Sequence, residues 1–271
     1  MITSSAQRWR DGRAIYRPTR EPIDTSKFDV APILDDNTAK AFVIGHHYSG
    51  SYPAARARFG LYRAGTLEGV AVFSIPCNSL ALKPCPDLST SVELGRFVLL
   101  DCVKANGETW FLARCFELLR EAGFTGVVSF SDPMERTTIG GEVVFAGHIG
   151  GIYQAHNALY LGRARAENVR LLPDGKIFHK RLLAKVRGRE KGWRYIVDGL
   201  VSRYGVSEPR NDLRAWIDGL LPGLTRTRKH PGNHKYVWPL RPDVRRFLKK
   251  NVKAQPYPKF SLLAEPSRAV A

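Results

Sequence analysis

No stretch of this 271-residue chain stays apolar for the roughly 18 residues that a membrane helix needs. The polar, basic N-terminus (MITSSAQRWRDGRAIYRPTR) also lacks the apolar segment of a secretory signal. The expected location is therefore the cytoplasm. Cysteine is scarce: Cys77, Cys85, Cys102 and Cys115 form no close metal-type pair and read as reduced structural thiols. There is no internal repeat. Acids are the telling shortage, with 25 Asp plus Glu against 42 Lys plus Arg and a formal charge of +17. Such an excess points to a polyanionic partner. Nucleic acid is favoured over lipid, because no long amphipathic helix with an aromatic face accompanies the charge.

The hydrophobic content, 44% of residues, is enough for a real core. DDNTAKAFVIGHHY (35–48) predicts a short helix from 36 capped by Asp35 or Asp36. FGLYRAG (59–65) and LEGVAVFSI (67–75) predict two strands joined at Ala64-Gly65. SVELGRFVLLD (91–101) is a third strand, ETWFLARCFELLREAG (108–123) an amphipathic helix closed by Gly123, and FTGVVSFSDP (124–133) a buried strand. Strand, turn, helix, strand is the crossover unit of an α/β protein. Further on, NVRLLPDGKIF (168–178) reads as a hairpin, 179–205 as one basic helix and 210–224 as a helix capped by Asn211. HPGNHKYVWPL (230–240) ends in a short aromatic strand.

The strand 124–133 stops at Asp132-Pro133. Soon after it, GHIGGIYQAHNALYLG (147–162) gathers His148, Tyr153, Gln154, His156, Asn157 and Tyr160 behind three glycines. Polar groups gathered after a core strand are what an α/β active site needs. HHYS (46–49) adds His47 and Tyr48, which with Asp132 can hold a divalent metal or move protons, or can simply be surface groups. Arg96 interrupts an apolar strand and must have a partner: Glu93, Asp132 or an anionic ligand. The turn KANGET (104–109) opens a helix and suits a pyrophosphate through Lys104, Asn106, Gly107 and Thr109, although Asn106 also reads as a plain N-cap. Lys180, Arg181, Lys185, Arg187, Arg189 and Lys191, interleaved with aromatics and a single acid (Glu190), suit phosphates.

Taken together, HHYS, ELGRFVLLD, KANGET, VVSFSDP, GHIGGIYQAHNALYLG and HKYVW resemble the phage Mom family. These are GNAT-like proteins that modify adenine in phage DNA and so protect it from restriction. The resemblance implies a GNAT-like α/β fold with a mixed central sheet and flanking helices, to which the residues after 165 add a basic, mainly helical C-terminal extension. It implies double-stranded DNA as partner and acetyl-CoA as co-substrate, methylcarbamoylation of adenine N6, and an Fe2+ ion at His47 and Tyr48. It places Asp132 and Tyr153 in the catalytic pocket with His47 and Tyr48, and Arg96 and Thr109 on the CoA side. MERTTIGGEVVFA (134–146) departs from the family pattern and reads as a β-hairpin around Gly140-Gly141. The expected organisation is a basic extended arm (1–30), the core (31–165), a basic helical extension returning to a final strand (166–240) and a basic, disordered tail (241–271). An acyltransferase for another amine or RNA, a non-catalytic nucleic-acid-binding protein and a metal-dependent nuclease remain alternatives.

Overall fold

The computed structural model describes residues 5–10, 13–18, 21–209 and 211–259. Along the chain come β1 (Ser5–Arg10), β2 (Arg13–Pro18), β3 (Asp29–Pro32), α1 (Asp36–His46), β4 (Ala55–Arg63), β5 (Thr66–Ser74) and β6 (Ser91–Leu99). Next are α2 (Gly107–Glu121), β7 (Gly126–Ser131), β8 (Arg136–Thr137), β9 (Val143–Phe145), α3 (Gly151–Ala155), β10 (Leu159–Arg163), β11 (Glu167–Leu171) and β12 (Ile177–Phe178). The remainder is α4 (Lys180–Arg187), α5 (Trp193–Tyr204), α6 (Leu213–Leu224), β13 (Arg226–His230), β14 (His234–Pro239) and α7 (Pro242–Asn251).

Local chemistry explains many of these elements. Asp35 caps α1 by accepting the N–H groups of Asn37 and Thr38 at 3.1 and 2.9 Å. Ala64 and Gly65, with φ of 46° and 79°, form the left-handed turn that lets β4 and β5 pair as a tight hairpin. Gly123, at φ 85°, ends α2. Asp212, not Asn211, caps α6.

The chain forms two compact units. The first runs up to Pro133, resumes at Ala146–Ala164 and again from Asn233. Its sheet has the order β10-β14-β7-β6-β5-β4-β3, all antiparallel except β6 with β7. This is the mixed sheet with flanking helices expected of the fold class. On one face Phe59, Phe73, Leu94, Phe111, Leu112 and Trp238 pack between the sheet and α2. On the other, Val43 of α1 covers Val70 and Val72, while Leu248 of α7 covers Val128 and Val237.

The second unit comprises Met134–Phe145 and Arg165–Gly232. It holds the sheet β12-β11-β13, the hairpin β8-β9, and helices α4 to α6 around Ile217, Val186, Val197 and Leu221.

Four expectations change. The strand at 234–239 is not the edge of an extension. It lies between β7 and β10 in the central sheet, so the extension is an insertion and the core continues past residue 165. The tail is ordered to residue 259: α7 buries Val244 and Leu248, and Gln255 donates its N–H to the Tyr160 carbonyl. Residues 260–271 lie outside the described residues. The arm at 1–30 contains the hairpin β1-β2, with Arg8 buried, although residues 1–4, 11–12 and 19–20 also lie outside the described residues. Residues 179–205 form two helices, because Gly188 and Gly192 break the helix between them.

Candidate active site

A bulge in β6 places the first two site residues. Alternation along a strand would put residues 93 and 96 on opposite faces. Here Phe73 pairs with Leu94 and Val72 with Arg96, so Gly95 is the extra residue. Glu93 and Arg96 thereby both face away from the α2 side. A Cβ at position 95 would lie 2.5 Å from Ser74 Oγ, which explains the glycine. The parallel β6–β7 ladder ends at Glu93 and Val128; beyond it, Ser129 Oγ donates to the Leu94 carbonyl at 3.0 Å. The strands open there, toward Arg96 on one side and Asp132 on the other.

Arg96 resolves its choice of partners in favour of the loop after α1. It donates to Ser51 O at 2.8 Å, Ser51 Oγ at 2.7 Å and Gly95 O at 2.5 Å. Burial lowers its pKa, and Tyr48, Glu93 and Tyr153 partly offset that. Its hydrogen-bond partners belong to the loop that follows His47 and to its own strand.

His47 is the C-cap of α1. Its Nδ1 accepts the Ser49 N–H at 3.1 Å, so in the neutral ring Nε2 carries the proton. Burial, with Arg96 and His148 adding repulsion, pushes its pKa down to about 3. At neutral pH it is an uncharged imidazole. Its ring lies 4.2 Å from that of Tyr48, which in turn stacks 4.5 Å from Trp9 and meets His148 edge-on at 6.2 Å. Trp9 had no sequence signal, because its strand shows no periodicity and its partners are remote.

Tyr153 hydrogen-bonds Ser129, feels both Glu93 and Arg96, and has its pKa raised by burial. Glu93 is likewise raised by burial, with Arg96 and Lys235 pulling the other way. Sequence reasoning had treated Glu93 only as a possible partner for Arg96. The 134–146 departure does not disturb this arrangement, because His148 N–H donates to the Asp132 carbonyl at 2.8 Å and closes the gap. Gly150, at φ 74°, has no room for a Cβ, which would lie 2.8 Å from both Tyr153 and Tyr236. Gln154 and Tyr160 serve the fold: Gln154 ties Ile149 O to Tyr236, and Tyr160 bonds His234 Nδ1 at 2.7 Å. A separate groove lined by Phe116, Arg120, His156, Trp238, Arg245 and Lys249 shares no residue with this cluster.

The 104–109 turn does not fit a pyrophosphate. The Glu21 carboxylate already accepts the Ala105 N–H at 2.8 Å, and hydrogen bonds from Arg17 and then Ala105 hold its pKa at about 2. Gly107 is buried: a Cβ there would lie 2.6 Å from Val103 and 3.3 Å from Ile23. Glu108 is buried in an ion pair with Arg8 at 2.6 Å. Asn106 donates to Glu21 O rather than capping the helix, Thr109 Oγ1 donates to Asn106 O, and exposed Lys104 stands 4.0 Å from Glu21. Two carboxylates and a covered glycine are the opposite of an anion cradle. Sequence pattern could not show this, because Arg8 and Glu21 lie some 80 to 100 residues away. Among the described residues, no three His, Cys, Asp or Glu side chains gather as a metal site requires. The reading of His47, Tyr48 and Asp132 as Fe2+ ligands is therefore not supported.

The sequence profile of the Mom protein family matches residues 27–259. The chain belongs to the Mom protein family. No curated protein sequence matches it. Among solved structures it is similar to a tandem GNAT protein from the clavulanic acid biosynthesis pathway (10% identity, 80% of this chain and 99% of that one, TM-score 0.41). It is also similar to a Bacillus subtilis acetyltransferase in complex with CoA (9% identity, 79% and 97% covered, TM-score 0.32). A third is the ribosomal-protein-S18-alanine N-acetyltransferase from Escherichia coli (10% identity, 55% and 88% covered, TM-score 0.34).

In this Mom-family chain the basic segment is less free than its composition suggests. Lys180 pairs with Glu167 at 2.6 Å, Arg181 with Glu190 at 2.5 Å and Arg187 with Asp218 at 2.6 Å. Two of those acids come from other elements, which is why the segment looked unopposed. Among the described residues, Lys185, Arg189 and Lys191 have no such ion pair, and Arg189 and Lys191 are exposed, as are Arg170, Arg194, Arg228 and Lys229. Arg194 belongs to the basic stretch read from sequence, whereas Arg170, Arg228 and Lys229 extend the candidate phosphate-contacting set beyond it.

Proposed function

We propose that this Mom-family chain is a group-transfer enzyme that modifies an exocyclic amine of a nucleic-acid base. Adenine N6 in double-stranded DNA is the acceptor implied by its family resemblance, and protection of phage DNA from restriction is the implied outcome. The observation that carries the reading is the meeting of His47, Tyr48, Arg96, Tyr153 and Glu93 where β6 and β7 part.

An exocyclic adenine amine is a poor nucleophile because its lone pair is delocalised into the ring. A transfer must remove its proton as the new bond forms. Glu93, raised by burial, is suited to accept that proton. Arg96 stabilises the carboxylate before and the developing charge after. Neutral His47 presents Nε2–H as a hydrogen-bond donor, and Trp9 and Tyr48 offer ring faces on which an extruded base can stack. Tyr153 orients the acceptor through its hydroxyl, and Asp132 stands at the end of β7 as a second carboxylate. Acetyl-CoA would supply the transferred group. The 104–109 turn as it stands does not hold its pyrophosphate, so no step is routed through that turn.

Mass spectrometry of nucleosides from DNA of cells expressing the chain tests this directly. The expected result is an adenine adduct that Glu93→Gln and Asp132→Ala each reduce at least tenfold. Unmodified DNA from well-expressed wild type refutes it. Occupation of the α2 end by Glu21 favours a second reading, a nucleic-acid-binding protein without CoA chemistry. An unchanged melting temperature at millimolar acetyl-CoA, in wild type and in Glu21→Ala, would favour that alternative.

A further inference from the structure

The polar string at 147–162 divides between two places in the first unit. Tyr153 joins the candidate site, whereas His156 and Asn157 line a groove bordered by α2, β10 and α7. Trp238 stands between the two, its ring 5.4 Å from that of Tyr153 and 6.3 Å from that of His156. The groove holds about 500 Å³, within the usual range of ligand sites. Its walls are largely apolar, with Ala113 and Phe116 from α2, Leu159 from β10, and Pro239 and Leu240 at the end of β14. His156 lies edge-on to Phe116 at 5.0 Å, and its Nδ1 is buried with no hydrogen-bond partner among the described residues. Folded proteins strand an acceptor more often than an N–H, so the neutral ring keeps its proton on Nε2. Burial lowers the pKa of His156, which holds the ring neutral.

Arg120 of α2 and Arg245 and Lys249 of α7 stand at the lip of this groove, all exposed. Arg245 and Lys249 are four residues apart and so share one face of the helix. Among the described residues none of the three has an ion pair. The acids nearby are engaged or turned elsewhere. Glu117, which also lines the groove, pairs with Arg114 at 2.8 Å, and Asp243 pairs with Arg241 at 3.1 Å. Glu121 is exposed beside Arg120 and is not part of the lining. Beyond the groove, α7 adds Arg246 and Lys250, also exposed.

These features narrow the occupant. A lipid surface does not match, because the apolar side of α7 is already spent: Val244 and Leu248 lie against the sheet, and only Phe247 remains outside. A small inorganic anion would leave the apolar walls bare. Cations that continue along α7 call for a chain of charges, and the walls call for a flat, poorly hydrated body attached to that chain. A nucleic-acid strand supplies both, one base for each phosphate. In a paired duplex the bases are stacked inside, so only an unpaired nucleotide can offer its base to a groove.

We infer that this groove seats the base of an unpaired nucleotide, with Arg120, Arg245 and Lys249 on the flanking phosphates and the strand running on over Arg246 and Lys250. The inference rests on the reading of nucleic acid as substrate and adds to it a contact that uses none of the residues of the candidate site. His156 supplies Nε2–H to an acceptor of the bound nucleotide.

The test measures binding of a short single-stranded oligonucleotide by fluorescence anisotropy across a salt series, with no acyl donor present. The triple variant Arg120→Gln, Arg245→Gln, Lys249→Gln should lose at least tenfold in affinity and about 2 in the salt slope, near 0.7 for each phosphate contact removed. Ala113→Phe, which fills the groove and leaves its cations in place, should keep the slope and lose about tenfold on the intact strand. On an abasic strand of the same length Ala113→Phe should bind as wild type does. The His156 ring, followed by NMR, should titrate at higher pH with the strand bound than without it.

A triple variant with unchanged affinity and slope overturns the inference. So does Ala113→Phe with wild-type affinity for the intact strand, because charge alone would then be read. Poly-glutamate that competes as well as the oligonucleotide overturns it for the same reason, and AMP that binds as tightly as the strand assigns the groove to free nucleotides instead. The parent reading fails separately. A strand seated in the groove, with no adduct in DNA from cells expressing wild type, refutes base modification and keeps the groove; an adduct with no effect of the triple variant on binding does the reverse.

Discussion

Arg8→Ala should destabilise this protein more than most surface-arm substitutions, because Arg8 is not at the surface. Its guanidinium and the Glu108 carboxylate are each 4% exposed and lie 2.6 Å apart. The same side chain donates to Leu100 O at 3.0 Å, to Lys104 O at 3.1 Å and to Val103 O. Truncation therefore strands a buried carboxylate and three carbonyls at the start of α2. Breaking a buried pair by removing one partner costs about 3–5 kcal/mol. At about 2–4 °C per kcal/mol for a chain of this size, the melting temperature of the first unit should fall by roughly 10 °C. Calorimetry is the appropriate assay, since the two units have separate cores and can melt apart. A double variant, Arg8→Met with Glu108→Leu, should recover most of the loss, because it removes both charges and keeps the volume. A loss below about 1 kcal/mol for Arg8→Ala, or a double variant worse than the single, would refute the argument that a buried pair anchors the arm to α2.

Three further outcomes follow from the site and the second unit. Stability should fall as pH drops from about 6.5 toward 4, since His47 and His234 have folded pKa values near 3 and 4 against 6.5 unfolded, so the unfolded chain takes up the protons. Glu93, raised by burial in the fold, opposes this trend; melting temperatures at pH 7.5 and 5 should differ less in His234→Asn than in wild type. Gly150→Ala should abolish activity and cost about 2 kcal/mol or more in urea titrations, because its φ of 74° and the Tyr153 and Tyr236 rings both exclude a methyl. Changing Arg189, Lys191 and Arg194 together to Gln should weaken duplex binding and lower its salt slope by about 3, whereas the paired Lys180, Arg181 and Arg187 should each matter less.

Much of the core was legible because its signals are local. Asp35 beside an apolar run marks α1, Ala64-Gly65 marks the β4-β5 hairpin, and the pattern from β6 through α2 to β7 predicts a crossover. The polar string from Asp132 to Tyr160 marked the region of the candidate site, and its motifs carried the family resemblance. Individual roles were less legible. Glu93 and Arg96 share a face only because Gly95 bulges, and no periodicity announces a bulge.

Composition and local pattern thus determined the α/β class, the basic character, the elements of the crossover and the neighbourhood of the candidate site. Tertiary structure alone decided which partners those residues keep. β14 enters the central sheet after the whole second unit has intervened. Glu21 and Arg8 close the turn that looked open to an anion, and Glu167 and Asp218 neutralise cations that looked unopposed. The physical reason is the same in each case. Secondary structure follows from neighbours within a few residues, whereas the charge and accessibility of a side chain depend on groups that the fold brings from far along the chain.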